Sequence, residues 1–205
     1  MADTEQTWDE RLQINTAGRD DILSDEYRYP YEPTPYCVLE RLAESGLLSG
    51  EDTVLDYGCG KGRVGFFLAK QTGAKCLGVD YDQRMLAFAL HNKENAAFGD
   101  GVDFLLTCAE TFELPSDIDR CYFFNPFSVQ ILRGVMAKIL RSYYESPREM
   151  LLLFYYPSDE YVGYLMTVEE LWFEDEIDCR DLFGKDDERE RILIFRLPGH
   201  TSTCG

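Results

Sequence analysis

The chain has 205 residues, 45% hydrophobic and 28% charged, ordinary proportions for one soluble globular domain with a core of its own. They exclude a disordered, collagen-like or low-complexity chain, and no apolar run approaches the roughly 18 residues of a membrane span; the longest, Met150–Tyr156, is strand-sized. With 20 Lys and Arg against 38 Asp and Glu the formal charge is −18, a field that repels phosphate backbones and leaves no basic patch for nucleic acid. Such acidity serves solubility or attracts a basic substrate.

The opening MADTEQTWDE is acidic and polar, so it reads neither as a signal peptide nor as a basic transit peptide. Seven cysteines stand at 37, 59, 76, 108, 121, 179 and 204 with no CxxC pair, which points to free thiols in a reducing cytoplasm. The only imidazoles are His91 and His200, in unrelated contexts, so no metal site is expected. His91 falls on a predicted helix, where packing or exposure is its ordinary role.

Residues 1–34 are expected to form an N-terminal extension or lid, with weak helical signals around Trp8 to Ile14, and residues 35–205 the main domain. Prolines 30, 33 and 35 keep Tyr31–Tyr36 out of regular helix. A helix starts near Pro35, with an apolar face of Val38, Leu39, Leu42, Ala43 and Leu47, and ends between Gly46 and Gly50. From Thr53 strands and helices alternate. Strands are predicted over Thr53–Tyr57, Lys75–Val79, Val102–Thr107, Arg120–Phe124 and Glu149–Tyr156. Helices are predicted over Gly62–Gln71, Gln83–Lys93, Ser128–Tyr144 and, briefly, Asp159–Met166. Leu171–Leu182 and Arg191–Leu197 read as two further strands joined through a hairpin at Gly184–Asp187. Alternation predicts an α/β, Rossmann-like, doubly wound sheet. A short link between the last two strands makes one of them antiparallel. The expected sheet is seven-stranded and mostly parallel, with one antiparallel strand near its edge.

The most informative segment is Val54-Leu-Asp-Tyr-Gly-Cys-Gly-Lys-Gly-Arg-Val-Gly65, a strand running through a glycine turn into a helix. Ligands of open α/β sheets sit beside such a turn, at the carboxyl ends of the strands. Gly60, Gly62 and Gly65 formally satisfy the dinucleotide fingerprint G-x-G-x-x-G. Asp56 argues against a pyrophosphate and for a ligand with positive charge, which S-adenosylmethionine carries as an ammonium and a sulfonium. At the end of the second strand Asp80 is placed to accept hydrogen bonds from two ribose hydroxyls, and Tyr81 beside it can pack on an adenine. The alternative for Asp80 is a helix N-cap.

On these residues the chain resembles class I S-adenosylmethionine-dependent methyltransferases, from about Tyr31 onward and most specifically over Val54–Gly62. The resemblance implies that Asp56, Gly58, Gly60 and Gly62 cradle the methionine part of the cofactor and that Asp80 holds the ribose. Where that family often has Asp-Ala near the adenine, this chain has Cys108-Ala109, followed by Glu110, which leaves a backbone contact there. Tyr31-Glu-Pro-Thr-Pro-Tyr36 is similar to a Tyr-x-Pro-Thr-Pro element of some uncharacterised bacterial methyltransferases and of some protein-lysine methyltransferases. It implies a cofactor-covering loop in which Tyr31, Thr34 or Tyr36 makes contact; the alternative is a rigid connector whose tyrosines fill the core rim.

Asn125-Pro-Phe127, at the end of the fourth strand, resembles a shortened (Asp/Asn/Ser)-Pro-Pro-(Tyr/Phe/Trp) motif of amino-group methyltransferases. It implies that the side-chain and backbone acceptors of Asn125 hold a target nitrogen, with Pro126 carried over beside it, and that Phe127 packs against it; the alternative is an Asn-Pro turn ending a buried strand. Tyr155–Glu160, after the fifth strand, is expected at the same mouth. Glu169–Glu190 carries eleven acids against three bases, a solvated face on which a cationic substrate can also dock. The expected activity is methyl transfer from S-adenosylmethionine to a nitrogen on a protein side chain or small amine. An NAD-binding oxidoreductase, a non-catalytic nucleoside-binding module and a small-molecule O-methyltransferase remain as alternatives.

Overall fold

The computed structural model describes residues 2–184 and 187–199; His200, Cys204 and part of the predicted hairpin at 184–187 lie outside the described residues. The elements, in chain order, are α1 (Ala2–Leu12), α2 (Tyr36–Glu44), β1 (Thr53–Tyr57), α3 (Arg63–Thr72), β2 (Lys75–Asp80), α4 (Gln83–Asn95), β3 (Val102–Leu106), β4 (Arg120–Phe124), α5 (Val129–Glu145), β5 (Met150–Tyr155), α6 (Asp159–Leu165), β6 (Trp172–Asp178) and β7 (Arg191–Leu197). They form one seven-stranded sheet in the order β3-β2-β1-β4-β5-β7-β6. The pairs β1–β2, β1–β4, β2–β3 and β4–β5 are parallel. β7 runs antiparallel to both its neighbours, so it is the one strand of opposite direction, next to the edge as the short connection requires.

The central strands read as unbroken apolar runs because both faces of the sheet are covered. All six residues of β5 are buried. On one face Tyr57, Phe123 and Phe154 occupy paired positions of β1, β4 and β5. Their rings stack at 4.8 and 4.5 Å, within 9° of parallel, and α5 and α6 close over them with Leu132, Met136, Ile139, Tyr161 and Leu165. On the other face α1, α2 and α3 contribute Leu12, Leu39, Leu42, Phe66 and Phe67. The exposed edge strand β6 carries Glu174, Asp175, Glu176 and Asp178, charges that disfavour pairing with a further strand. The strand predicted over Leu171–Leu182 ends at Asp178, because the Asp178 carboxylate accepts from the Arg180 amide at 2.9 Å and turns the chain into a single 3₁₀ turn, Arg180–Leu182.

The expected N-terminal extension divides in two. Residues up to Thr16 belong to the core: Trp8 meets the Phe67 ring edge-on at 5.0 Å and donates to Glu40 at 2.7 Å. Asp9, 8% exposed, accepts from the Thr16 amide and hydroxyl, both at 2.7 Å, and from the Tyr36 hydroxyl at 2.5 Å. Only residues 17–34 form a strap across the carboxyl ends of the strands.

Asp9→Ala removes the acceptor of three buried hydrogen bonds and leaves Arg63, 3% exposed, with less compensation. The expected loss of stability is about 3–5 kcal/mol, read as a lower urea midpoint at unchanged slope.

Candidate functional site

The order of the sheet reverses between β1 and β4, and connections leave those strands toward opposite faces, which opens a crevice beyond their carboxyl ends. A cavity lies there, bounded by the glycine loop, the ends of β2 and β4, and the strap. The loop owes its path to three glycines at positive φ: Gly58 (76°), Gly60 (53°) and Gly62 (88°). A Cβ on Gly58 would come within 2.6 Å of the Pro126 Cβ, and one on Gly60 within 2.2 Å of the Tyr31 ring. Backbone therefore passes directly beneath these two side chains.

Asp80 braces the loop. Its Oδ2 accepts from the Gly60 amide and its Oδ1 from the Asp82 amide, both at 2.8 Å. The N-cap of α4 is Asp82, which accepts from the Arg84 amide at 2.8 Å, so Asp80 itself is left to face the cavity. Asp56 is 4% exposed, and its Oδ2 is buried with no hydrogen-bond partner among the described residues. Burial, then the neighbouring Asp80 charge, push its carboxyl up to about 8. Burial also raises Asp80, against the hydrogen bonds from the loop.

Of the residues singled out in the sequence, Tyr31, Thr34, Asp56, Gly58, Asp80, Tyr81, Ala109, Pro126 and Phe127 line this cavity. Gly60 lies beneath the Tyr31 ring. Gly62 is the N-cap of α3 and packs on Phe104 and Phe66; it brings helix to sheet and does not reach the cavity. Tyr36 does not reach it either. Pro35 sets Tyr36 as the first residue of α2, and its side chain turns into the core toward Asp9 and Phe67. Cys108 presents its carbonyl to the Thr111 and Phe112 amides, and its neighbours Thr107 and Ala109 line the cavity. Asn125 lies at a positive φ of 41° and lines a second, adjoining cleft. The Tyr81 hydroxyl donates to the Leu23 carbonyl at 2.7 Å and its ring carries the Arg28 guanidinium at 5.0 Å, so it anchors the strap.

Several residues at the site carried no signal in the sequence. Arg28 pairs with Glu110 at 2.8 Å, the Tyr29 amide donates to the Pro126 carbonyl at 3.2 Å, and the Ser128 amide donates to the Tyr27 carbonyl at 2.7 Å. Arg84 holds Asp20 at 3.1 Å. The strap is thus tied to both the β2 and β4 sides of the crevice. Arg63, directly after the glycine loop, lines the cavity and donates to the Thr34 carbonyl, the Thr16 hydroxyl and Glu5. Its position beside Gly62 is the one feature that could have marked it.

Residues 48–144 match a family model described as a methyltransferase domain. A protein-lysine N-methyltransferase from Saccharolobus islandicus (strain REY15A) is 39% identical over 66 residues, 32% of this chain and 41% of that protein. Methyltransferase GfsG from Streptomyces halstedii is 30% identical over 139 residues, 58% of this chain and 49% of that protein. The chain spans less than half the length of these curated relatives. An RNA methyltransferase from Salinibacter ruber, solved in complex with S-adenosyl-L-homocysteine, superposes with a TM-score of 0.56 at 19% identity, over 84% of this chain and 97% of that one; this likeness is one of fold. Residues 48–144 thus form a methyltransferase domain, in a chain with the fold of class I S-adenosylmethionine-dependent methyltransferases.

That class implies S-adenosylmethionine as cofactor, and the cavity fits it. An unpartnered buried carboxylate suits an ammonium or sulfonium and would repel a pyrophosphate. Among the described residues no helix is long and apolar enough to cross a membrane.

The raised Asp56 carboxyl sets a pH dependence. Between about 4, where an unfolded aspartate ionises, and about 8 the folded protein holds a proton that the unfolded chain has lost. This group therefore makes stability fall as pH rises through that window, and Asp56→Asn flattens the fall in denaturant titrations. Binding a cation beside Asp56 requires the carboxylate. Cofactor affinity is expected to weaken as pH drops below about 8, with proton release on binding detectable by calorimetry in buffers of different ionisation enthalpy.

Proposed function

We propose that this chain transfers a methyl group from S-adenosylmethionine to a nitrogen, on a protein side chain or a small amine. The observation that carries this reading is Asn125. Its Oδ1 is buried at the end of β4 without a hydrogen-bond partner among the described residues, and a lone carbonyl oxygen is an acceptor for an N–H group. The net charge of −18 favours a cationic acceptor, and the lysine-directed relative named above supports the same choice.

When bound, the cofactor supplies an electrophilic methyl group, and the protein's contribution is alignment. Asp56 would hold the positively charged methionine end, Asp80 the ribose, and Ala109 the adenine side. Asn125 orients the acceptor nitrogen, and Pro126, packed on Gly58, fixes the distance between the two sites. Phe127 supplies an apolar wall, buried to 5% exposure. The strap of residues 17–34 acts as the lid over this assembly, and must part from Pro126 and Glu110 for cofactor to enter.

Calorimetry with S-adenosylmethionine, S-adenosylhomocysteine and NAD tests the cofactor: micromolar binding of the first two without the third is expected, and preference for NAD would replace this reading with an oxidoreductase. Asp80→Ala should weaken cofactor binding by roughly 1.5–3 kcal/mol. Asn125→Ala should lower kcat on lysine-rich proteins by about 5- to 150-fold, equivalent to about 1–3 kcal/mol, with cofactor affinity retained. Equal loss of both would remove Asn125 from acceptor binding.

A further inference from the structure

A second cleft adjoins the cavity on the far side of the strap. Asn125, Tyr155, Tyr156, Glu32 and Glu190 are among its walls, and Tyr29, Pro30, Glu32 and Phe124 line both spaces. The two spaces join at one dipeptide: Pro126 faces the first and Asn125 the second. The positive φ of Asn125 produces this division.

The cleft suits a cation on an apolar stem. Phe124 and Tyr155 lie with ring centroids 4.7 Å apart, and aromatic walls accept both methylenes and positive charge. Glu190 is held rigidly. Its amide donates to the Asp187 carbonyl at 3.0 Å, its carbonyl accepts from the Cys179 amide at 2.8 Å, and its Oε2 accepts from the Tyr155 hydroxyl at 2.7 Å. The charged and titratable groups that face it are Tyr155 on β5, Tyr156 directly after it, Cys179 after β6, Glu32 on the strap, and Asp187 and Arg189 on its own segment; Arg19 lines the same cleft and pairs with Glu32 at 3.5 Å. Arg189 is turned aside, stacked on the Tyr156 ring at 4.1 Å and donating to the Tyr156 and Pro157 carbonyls. Partial burial raises the Glu190 carboxyl above the ordinary glutamate value, which moves it toward the range of a useful proton acceptor.

We propose that Glu190 is the acceptor-binding carboxylate of this cleft: it receives a long-stemmed primary ammonium and takes one proton from it, leaving a neutral amine on Asn125. This rests on methyl transfer to nitrogen. In the step one N–H bond breaks and one O–H bond forms; the ammonium becomes an amine, the carboxylate a carboxylic acid, and the nitrogen gains the lone pair that methylation requires. No other reactant is needed. The sequence marked Glu190 only as the last residue of an acidic run, a solvated face on which a cationic substrate can also dock, and did not single it out within that run.

The test uses hexylammonium and hexanol as probes in ligand-observed NMR, on the full chain and its Glu190→Gln and Glu190→Asp variants, with S-adenosylhomocysteine affinity measured in parallel by calorimetry. Hexylammonium should bind the unmodified protein at least about tenfold tighter than hexanol, the scale of one charge-assisted hydrogen bond. Glu190→Gln should erase that preference, Glu190→Asp should restore part of it, and S-adenosylhomocysteine affinity should be unchanged in both. The preference should also fade as pH drops toward 4.5, the ordinary glutamate value. Equal binding of the two probes, no binding of either, or a Gln variant that behaves like the parent would overturn the proposal. Failure of S-adenosylhomocysteine to bind the parent protein would instead overturn the methyltransferase reading, and the probe preference would still decide whether the cleft selects ammonium.

Discussion

Two carboxylates are buried side by side at the ends of β1 and β2, and the rest of the site is arranged around them. Asp56 and Asp80 sit at carboxyl termini of paired strands, where low exposure makes each charge costly and the Asp80 charge raises Asp56 further. Asp80 recovers part of that cost from the Gly60 and Asp82 amides, and this pair of bonds gives the glycine loop its shape. Asp56 has no such relief on Oδ2. A fold that keeps an uncompensated acid in its interior holds a place for positive charge, and this acid lies where the sheet order reverses and a ligand can enter. The proposed role of Asp56 toward a positively charged ligand rests on that one electrostatic constraint.

The strap divides the crevice into two adjoining, partly open spaces. Its contacts are dispersed and individually modest: an ion pair to Glu110, another from Asp20 to Arg84, a tyrosine hydroxyl on Leu23, and backbone bonds to Pro126 and Ser128. Exposed or half-exposed pairs of this kind are worth little singly, so together they hold a segment that can still open. The Tyr31 ring is the strap's one close fit, lying where Gly60 has no side chain. The closeness of the two clefts and the position of Tyr29 against Pro126 are therefore set by a single segment.

Much of the architecture was legible in the residues. The alternation of apolar strands and amphipathic helices, the closing antiparallel pair and the edges of β4 and β7 follow from local periodicity, which the tertiary structure only has to accept. The glycine loop was legible for the same reason: Gly58, Gly60 and Gly62 meet a backbone requirement at positive φ that few other residues can meet. Errors arose where side-chain direction mattered. Tyr36 and Gly62 belong to motifs associated with cofactor, yet they serve the packing of α2 and α3. The strand predicted through Leu182 stopped at Asp178, since an aspartate's bond to a nearby amide outweighed β propensity over a few residues.

Sequence alone determined the class of fold, the glycine loop and the acids beside it, because each depends on residues within about one strand and one turn of one another. The tertiary structure decided what surrounds that loop. Arg28 meets Glu110 across 82 residues of chain, Tyr155 meets Glu190 across 35, and Arg63 draws together Thr16, Thr34 and Glu5. Contacts of such separation leave no periodic trace, since neither partner's local conformation depends on the other until the sheet has brought them together. The second cleft exists for that reason only in the folded chain, where the ends of β4 and β5, the strap and the turn before β7 converge on Asn125.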